Sequence, residues 1–290
     1  MKRQIRTILI LLLLAVFLSS VTVVIVRSVS AGRAADEYGQ AQELRKKTVP
    51  QTSPSPSAEP TPVPSAAPTD APPDSPAPEP TAEPVPPELP VCEPDEYTEA
   101  LAGLDLSELT VENPDVKAWI LIPGTVIDYP VVQGEDNDYY LEYTWMRTKN
   151  SVGSIVLECH NSADFGDFST IIYGHLMRND SMFGTLKYYA NEAYFSEHPQ
   201  IYLASEQGVW RYSVFAVYET PLRSATYYLE FPDDAHRQEF IDYALGRSVI
   251  QSGIVPGTDD RFLTLSTCTG SGYSKRWVVQ AVLDGFFPNE

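Results

Sequence analysis

Cysteine is scarce in this chain: its three copies, Cys92, Cys159 and Cys268, form no CxxC pair and no Cys/His ligand spacing. That excludes a disulfide framework and a zinc site built on clustered ligands, so neither a metal nor any other cofactor is expected. Cys92 and Cys159 are the pair weighed for a disulfide, and an odd count leaves at least one thiol unpaired. Positive charge is short as well. Residues 91 to 290 hold 12 Lys plus Arg against 30 Asp plus Glu, a formal charge of −18 before histidine. Such a surface repels nucleic acid and anionic lipid, and no nucleic-acid partner is expected. From Pro50 to Pro90 there is no aromatic residue, while 16 of the 25 prolines fall there. That stretch has nothing with which to build a core.

What is present begins with an apolar run. Thr7 to Val26 are twenty residues without a charge, preceded by Lys2, Arg3 and Arg6. A helix of that length spans about 30 Å, one hydrocarbon core. A cleaved signal peptide ending at Val29-Ser30-Ala31 is the competing reading, but a signal h-region runs only about 7–15 residues. An uncleaved anchor over 7–26 is therefore expected, with 1–6 on the cytoplasmic side. Arg27, Arg33, Arg45, Lys46 and Lys47 nearly balance the positive-inside count, so charge alone leaves the orientation open. Residues 48 to 90 read as a stiff polyproline II spacer of about 3.1 Å per residue, and the tether as a whole is placed at 27–90.

Beyond it, Asp95 to Leu104 predicts a short helix, and Trp119 to Val132 predicts two β runs broken at Pro123-Gly124. Ser154–Cys159, Thr170–Tyr173, Ile201–Ala204, Trp210–Tyr218, Arg261–Cys268 and Arg276–Leu283 are short β-branched or aromatic runs bounded by turn residues. The count predicts a mainly β domain, a barrel or sandwich. Asp233 to Leu245 interrupts it with Phe240, Ile241, Ala244 and Leu245 at helical spacing.

Cys268 ends a strand-like run, and the turn Thr269-Gly270-Ser271-Gly272 leads back to Arg276. A thiol at a strand end with a guanidinium on the returning strand is an arrangement in which the cation favours thiolate. Four histidines are candidates for a base. His236 lies in the acidic helix and His198 in a polar loop, and both are read as solvated. His160 follows Cys159 directly, and strand neighbours point to opposite faces, so that pair is excluded as a dyad. His175 ends the run Ile171-Ile172-Tyr173 after Gly174 and is the best base in the chain.

These strings carry a family resemblance. Ile171-Ile172-Tyr173-Gly174-His175 with Ser181-Met182-Phe183-Gly184-Thr185-Leu186 resembles the histidine motif of the class B sortases. Thr264-Leu265-Ser266-Thr267-Cys268 with Arg276 resembles their cysteine and arginine motif. Ile122-Pro123-Gly124-Thr125, Ile127 to Gln133 and Asp136 to Leu141 are also similar, so the likeness covers nearly all of residues 95 to 285. The interval from Cys268 to Arg276 is short beside that of some members, which bears on the pocket beside Gly270 to Ser274. The resemblance implies a sortase β-barrel of about eight strands, with an N-terminal helix and a helix in the insertion before the cysteine strand. It implies a catalytic domain over 91–290 that lies outside the cell on a single-pass anchor, and a cysteine transpeptidase. Cys268 would be the nucleophile, His175 the general acid and base, and Arg276 the stabiliser of thiolate, oxyanion and substrate. Ser266 and Thr267 are candidate substrate contacts. The partners implied are the sorting-signal peptide of secreted proteins and an amine of peptidoglycan or its precursor. A cysteine endopeptidase and a pilin-polymerising sortase are the alternatives. Because no motif residue lies upstream of Asp95, the domain is expected to work without anchor or tether.

Overall fold

A computed structural model describes residues 2–48, 90, 92–270 and 274–289. Most of the expected spacer, 49–89, and the turn 271–273 beside Cys268 lie outside the described residues.

The predicted β runs close into one barrel. Its strands are β1 (Val116–Leu121), β2 (Asp128–Val132), β3 (Ile155–Leu157), β4 (Ser169–Tyr173), β5 (Gln200–Ser205), β6 (Gly208–Pro221), β7 (Phe262–Cys268) and β8 (Lys275–Pro288). The order around the barrel is β1-β2-β3-β4-β7-β8-β6-β5, with β5 returning to β1. Two neighbouring pairs, β2 with β3 and β4 with β7, run parallel, and the others are antiparallel. Closure leaves no free edge for another chain to pair with.

Both faces of the late strands are buried, by two different partners. Along β7 and β8, Leu263, Leu265, Val279 and Ala281 join the barrel interior. Phe262, Val278 and Val282 alternate to the outer face and meet Phe240, Ile241 and Ala244 of α5 (Asp234–Leu245). Strand side chains alternate with period two, so one sequence run supplies both layers. Asp233 caps α5 by accepting from the His236 amide, and Gly246 follows the last turn. Among the described residues, three further short α-helices are α2 (Glu96–Leu101), α3 (Ser107–Glu112) and α4 (Glu192–Glu197). Asp95 caps α2 through the amides of Tyr97 and Thr98.

The N-terminal helix differs from the expectation. Helix α1 runs unbroken from Lys2 to Thr48. The side chains of residues 11–26 are exposed, as an apolar anchor requires. Its second half is docked on the barrel, where the sequence reading started a tether at residue 27. Ala34, Tyr38 and Ala41 repeat at helical spacing and are buried on one stripe. Gln42 donates to the Asp128 carbonyl at 2.9 Å, and Arg45 pairs with the Asp128 carboxylate at 2.8 Å. The stripe is three residues long and flanked by charged residues.

Candidate active site

The parallel pairing of β4 with β7 brings two chain segments out at the same rim. Tyr173 is in register with Ser266, and the Gly174 amide donates to the Ser266 carbonyl at 3.2 Å. His175 follows just past the end of β4, and Cys268 ends β7 two residues beyond Ser266. On the other side, β7 and β8 are antiparallel, and Cys268 is the direct partner of Arg276. Cys268, Ser266 and Arg276 share parity with Phe262 and Val278, so all three lie on the outer face, away from the barrel interior. Cys268, His175 and Arg276 all line one pocket of about 420 Å³, with Tyr173, Tyr227 and Leu222 among its walls.

Local chemistry fixes the histidine. Gly174 lets the chain pass Phe183, because a β-carbon there would lie 2.7 Å from the Phe183 ring and from the Ile155 side chain. Gly153 (φ +64°) closes the other side, and a β-carbon on it would come within 2.7 Å of His175 Cδ2. The imidazole Nε2 donates to the Leu141 carbonyl at 2.9 Å. A carbonyl only accepts, so the neutral ring carries its proton on Nε2 and offers Nδ1 as the basic nitrogen. The chain then turns back on itself, with Leu176 bridging Met182 and the Phe183 amide donating to the His175 carbonyl at 3.1 Å.

The two candidate substrate contacts separate. Ser266 shares the outer face with Cys268, and its hydroxyl is 2.9 Å from the Tyr227 hydroxyl. Burial pushes the Tyr227 phenol up to about 12, against the opposing pull of its Ser266 bond and the nearby Arg276 charge. Thr267 also touches the pocket, but by alternation its side chain belongs with Leu263 and Leu265, and its buried hydroxyl has no hydrogen-bond partner among the described residues.

Two readings of the other histidines change. Cys159 and His160 were separated on the premise of a strand, but β3 ends at Leu157 and both sit in the turn after it. Their side chains meet there, with Sγ 3.3 Å from His160 Nδ1. They lie outside the pocket walls, and the same Nδ1 is 2.8 Å from the Glu158 carboxylate. Burial and then the Glu158 hydrogen bond and charge raise the Cys159 thiol, the wrong direction for a nucleophile. Glu158 itself is buried; burial pushes it up, but bonds from Asn137, His160 and Tyr173 win and hold it below the usual carboxylate range. His198 is half-buried rather than solvated, donating to the Pro123 carbonyl at 2.8 Å against the Tyr194 ring. His236 is exposed beside Asp233, as expected. All three cysteines are free thiols, Cys92 standing 2.7 Å from Arg211 Nη2.

Sequence reasoning missed Asn137, Tyr173 and Tyr227 as pocket residues. The string Asp136 to Leu141 marked the first of these, but nothing in its spacing showed that the loop folds back over β3.

Comparison with known proteins agrees with this architecture. The profile of the sortase domain matches residues 120–284. Sortase B of Listeria monocytogenes is 38% identical over 185 residues, covering 62% of this chain and 74% of the relative. Sortase B of Staphylococcus aureus is 33% identical over 171 residues, 58% of this chain and 70% of the relative. A solved Staphylococcus aureus sortase B–substrate complex superimposes with a TM-score of 0.59 at 32% identity, covering 61% of this chain and 83% of that one. With a matching closed barrel and more than half its length matched by the domain profile, the chain belongs to the sortase family, and within it to the class B enzymes.

Proposed function

We propose that this sortase cleaves a C-terminal sorting signal of secreted proteins through a thioester on Cys268 and transfers the acyl group to an amine of the cell wall. The observation that carries the reading is the one pocket lined by all three residues, with Cys268 paired to Arg276 across β7 and β8 and His175 just past the end of β4. Cys268 Sγ attacks the scissile carbonyl carbon, and the tetrahedral intermediate collapses with loss of the C-terminal fragment as an amine. His175 protonates that amine. It then takes a proton from the incoming amine, whose nitrogen forms the new amide as the thiolate departs.

The chemistry needs thiolate and imidazolium together. A guanidinium on the partner strand favours the thiolate and is positioned to receive the oxyanion. Ser266, on the same face, contacts substrate in this reading, whereas Thr267 supports the strand from behind. Helix α1 provides the anchor, residues 7–26 crossing the membrane with the barrel outside and the pocket open to exported proteins.

The test is incubation of the protein with a library of sorting-signal peptides and amine donors, read by mass spectrometry for cleavage and ligation. The expected result is an amide-linked product and a trapped acyl adduct on Cys268. Hydrolysis alone, with no ligation to any amine, makes the protein an endopeptidase, and an adduct on Cys159 or Cys92 overturns the assignment of the nucleophile.

A further inference from the structure

The docked half of α1 has contacts that converge on His175 from two sides. On one side, the Tyr38 hydroxyl donates to the Gly153 carbonyl at 2.6 Å, and Asn150 Nδ2 donates to the Ser30 carbonyl at 2.6 Å. These two bonds pin the turn 150–154 to the helix. The same turn holds the segment 139–143: the Asn150 amide donates to Glu142 at 2.7 Å, the Ser154 amide to Tyr140 at 3.0 Å, and the Ser154 hydroxyl to Tyr143 at 2.9 Å. Leu141, inside that segment, supplies the carbonyl that fixes His175 Nε2, and Gly153 lies against the edge of the same ring.

On the other side, the Tyr38 ring packs edge-on against Tyr129, with centroids 5.4 Å apart. The Tyr129 hydroxyl accepts from the Met182 amide at 3.2 Å, at the far end of the hairpin that His175 begins. Between α1 and that hairpin is a cavity of about 630 Å³, walled by Ala31, Ala34 and Gly39 on the helix and by Met177 and Met182 on the hairpin. Tyr38 reaches the far end of the hairpin through Tyr129. Burial pushes the Tyr38 phenol well above its ordinary range, so it remains a donor.

We propose that Tyr38 is a positioning residue for His175, and that residues 30–45 of α1 are part of the catalytic unit rather than a connection to it. The inference rests on the base role given to His175 above. One tyrosine sets both the carbonyl partner of the imidazole and the far end of its hairpin, so the anchor helix and the catalytic base move as one body.

The experiment uses the full chain in detergent micelles, with Tyr38→Phe, Asn150→Asp, Tyr38→Ala and His175→Ala beside the parent. Turnover is read with the best peptide and amine from the library. The solvent access of His175 is read separately, as its rate of diethyl pyrocarbonate modification relative to the exposed His236 in the same molecule. Tyr38→Phe keeps the ring on Tyr129 and removes the bond to Gly153, and it should lower kcat about 3- to 10-fold, the worth of one hydrogen bond, with KM unchanged. His175 modification should rise relative to His236 in Tyr38→Phe and Asn150→Asp, and further in Tyr38→Ala. If both conservative variants match the parent in kcat and in His175 modification, the proposal is wrong. They decide the matter even if Tyr38→Ala does not fold. Turnover surviving in His175→Ala removes the base role itself; loss there with an unaltered Tyr38→Phe removes only the role of Tyr38.

Discussion

At the scale of single residues, Arg276 offers two separable contributions: a field that favours thiolate, and directed donors for an oxyanion. Arg276→Lys keeps the charge and loses the planar fork. Loss of one oxyanion donor costs about 10²–10³ in rate, about 2.7–4 kcal/mol, so the lysine variant should be nearly as poor as Arg276→Ala. Its thiol alkylation profile against pH should stay close to the parent's. Retention of more than about a third of turnover, well short of the tenfold that 1.4 kcal/mol represents, would show that the charge alone suffices. Cys268→Ala should abolish cleavage and ligation while leaving the melting curve nearly intact, because a small, half-buried strand-end residue leaves little cavity. Glu158 supplies a prediction in pH. Its folded pKa is depressed, so its contribution to stability is present above its ordinary value and is lost as the pH falls through the folded one. The stability gap between parent and Glu158→Gln, measured by denaturant unfolding, should hold at pH 7 and narrow below about pH 4.3. A gap that widens on acidification would contradict the hydrogen-bonded carboxylate. Cys268, His175 and Arg276 were legible one by one from strand ends and motif strings. The meeting of Cys159 with His160 was not, because it turns on β3 stopping at Leu157, and the expected strand ran on through Glu158 to Cys159.

Elements were legible in proportion to their length and periodicity. All eight strands stood out as β-branched or aromatic runs bounded by turn residues, and α5 by its helical spacing, each close to where it lies. Helices α3 and α4 have six residues each, fewer than two turns, and too short for a periodic signal to stand out. Helix α1 shows a different failure. Its docking stripe is made of two alanines and a tyrosine among Arg33, Asp36, Glu37 and Arg45, and it is apolar only in the company of Tyr129 and Trp145. The docking changes what truncation should do. A chain beginning at residue 91 uncovers Tyr129 and gives up the burial of Tyr38, about 1.5–3 kcal/mol for a large side chain. At about 2–4 °C per kcal/mol for a domain of this size, it should melt at least about 3 °C below a chain beginning at residue 28. Differential scanning calorimetry of the two checks this. Equal melting temperatures would mean that α1 contributes nothing to the barrel in solution.

For the molecule as a whole, residues 91–290 carry a strong negative charge, and the barrel is docked directly on the second half of a helix whose first half is apolar. With residues 7–26 in a membrane, as proposed, such a surface would be repelled by anionic headgroups, and the helix would bear the domain. Val26, the last residue of the apolar run, is only four residues from Ser30, where the first bond to the barrel is made; that is about 6 Å of helix. If α1 is the proposed anchor, it sets the height of the barrel above the lipid, because it is bound to the domain from Ser30 to Arg45. An unbroken helix also transmits azimuth. Each residue added between Val26 and Ser30 turns everything above it by about 100° around the axis and raises it by about 1.5 Å. Insertion of two alanines should swing the pocket mouth to the far side of the anchor, while insertion of seven, close to two full turns, should restore its bearing at a greater height. Turnover of soluble peptide with a soluble amine should not register the difference, but ligation to an acceptor held in the same vesicle should follow the helical period. The compass heading of the active site is thus written in the number of residues between lipid and barrel.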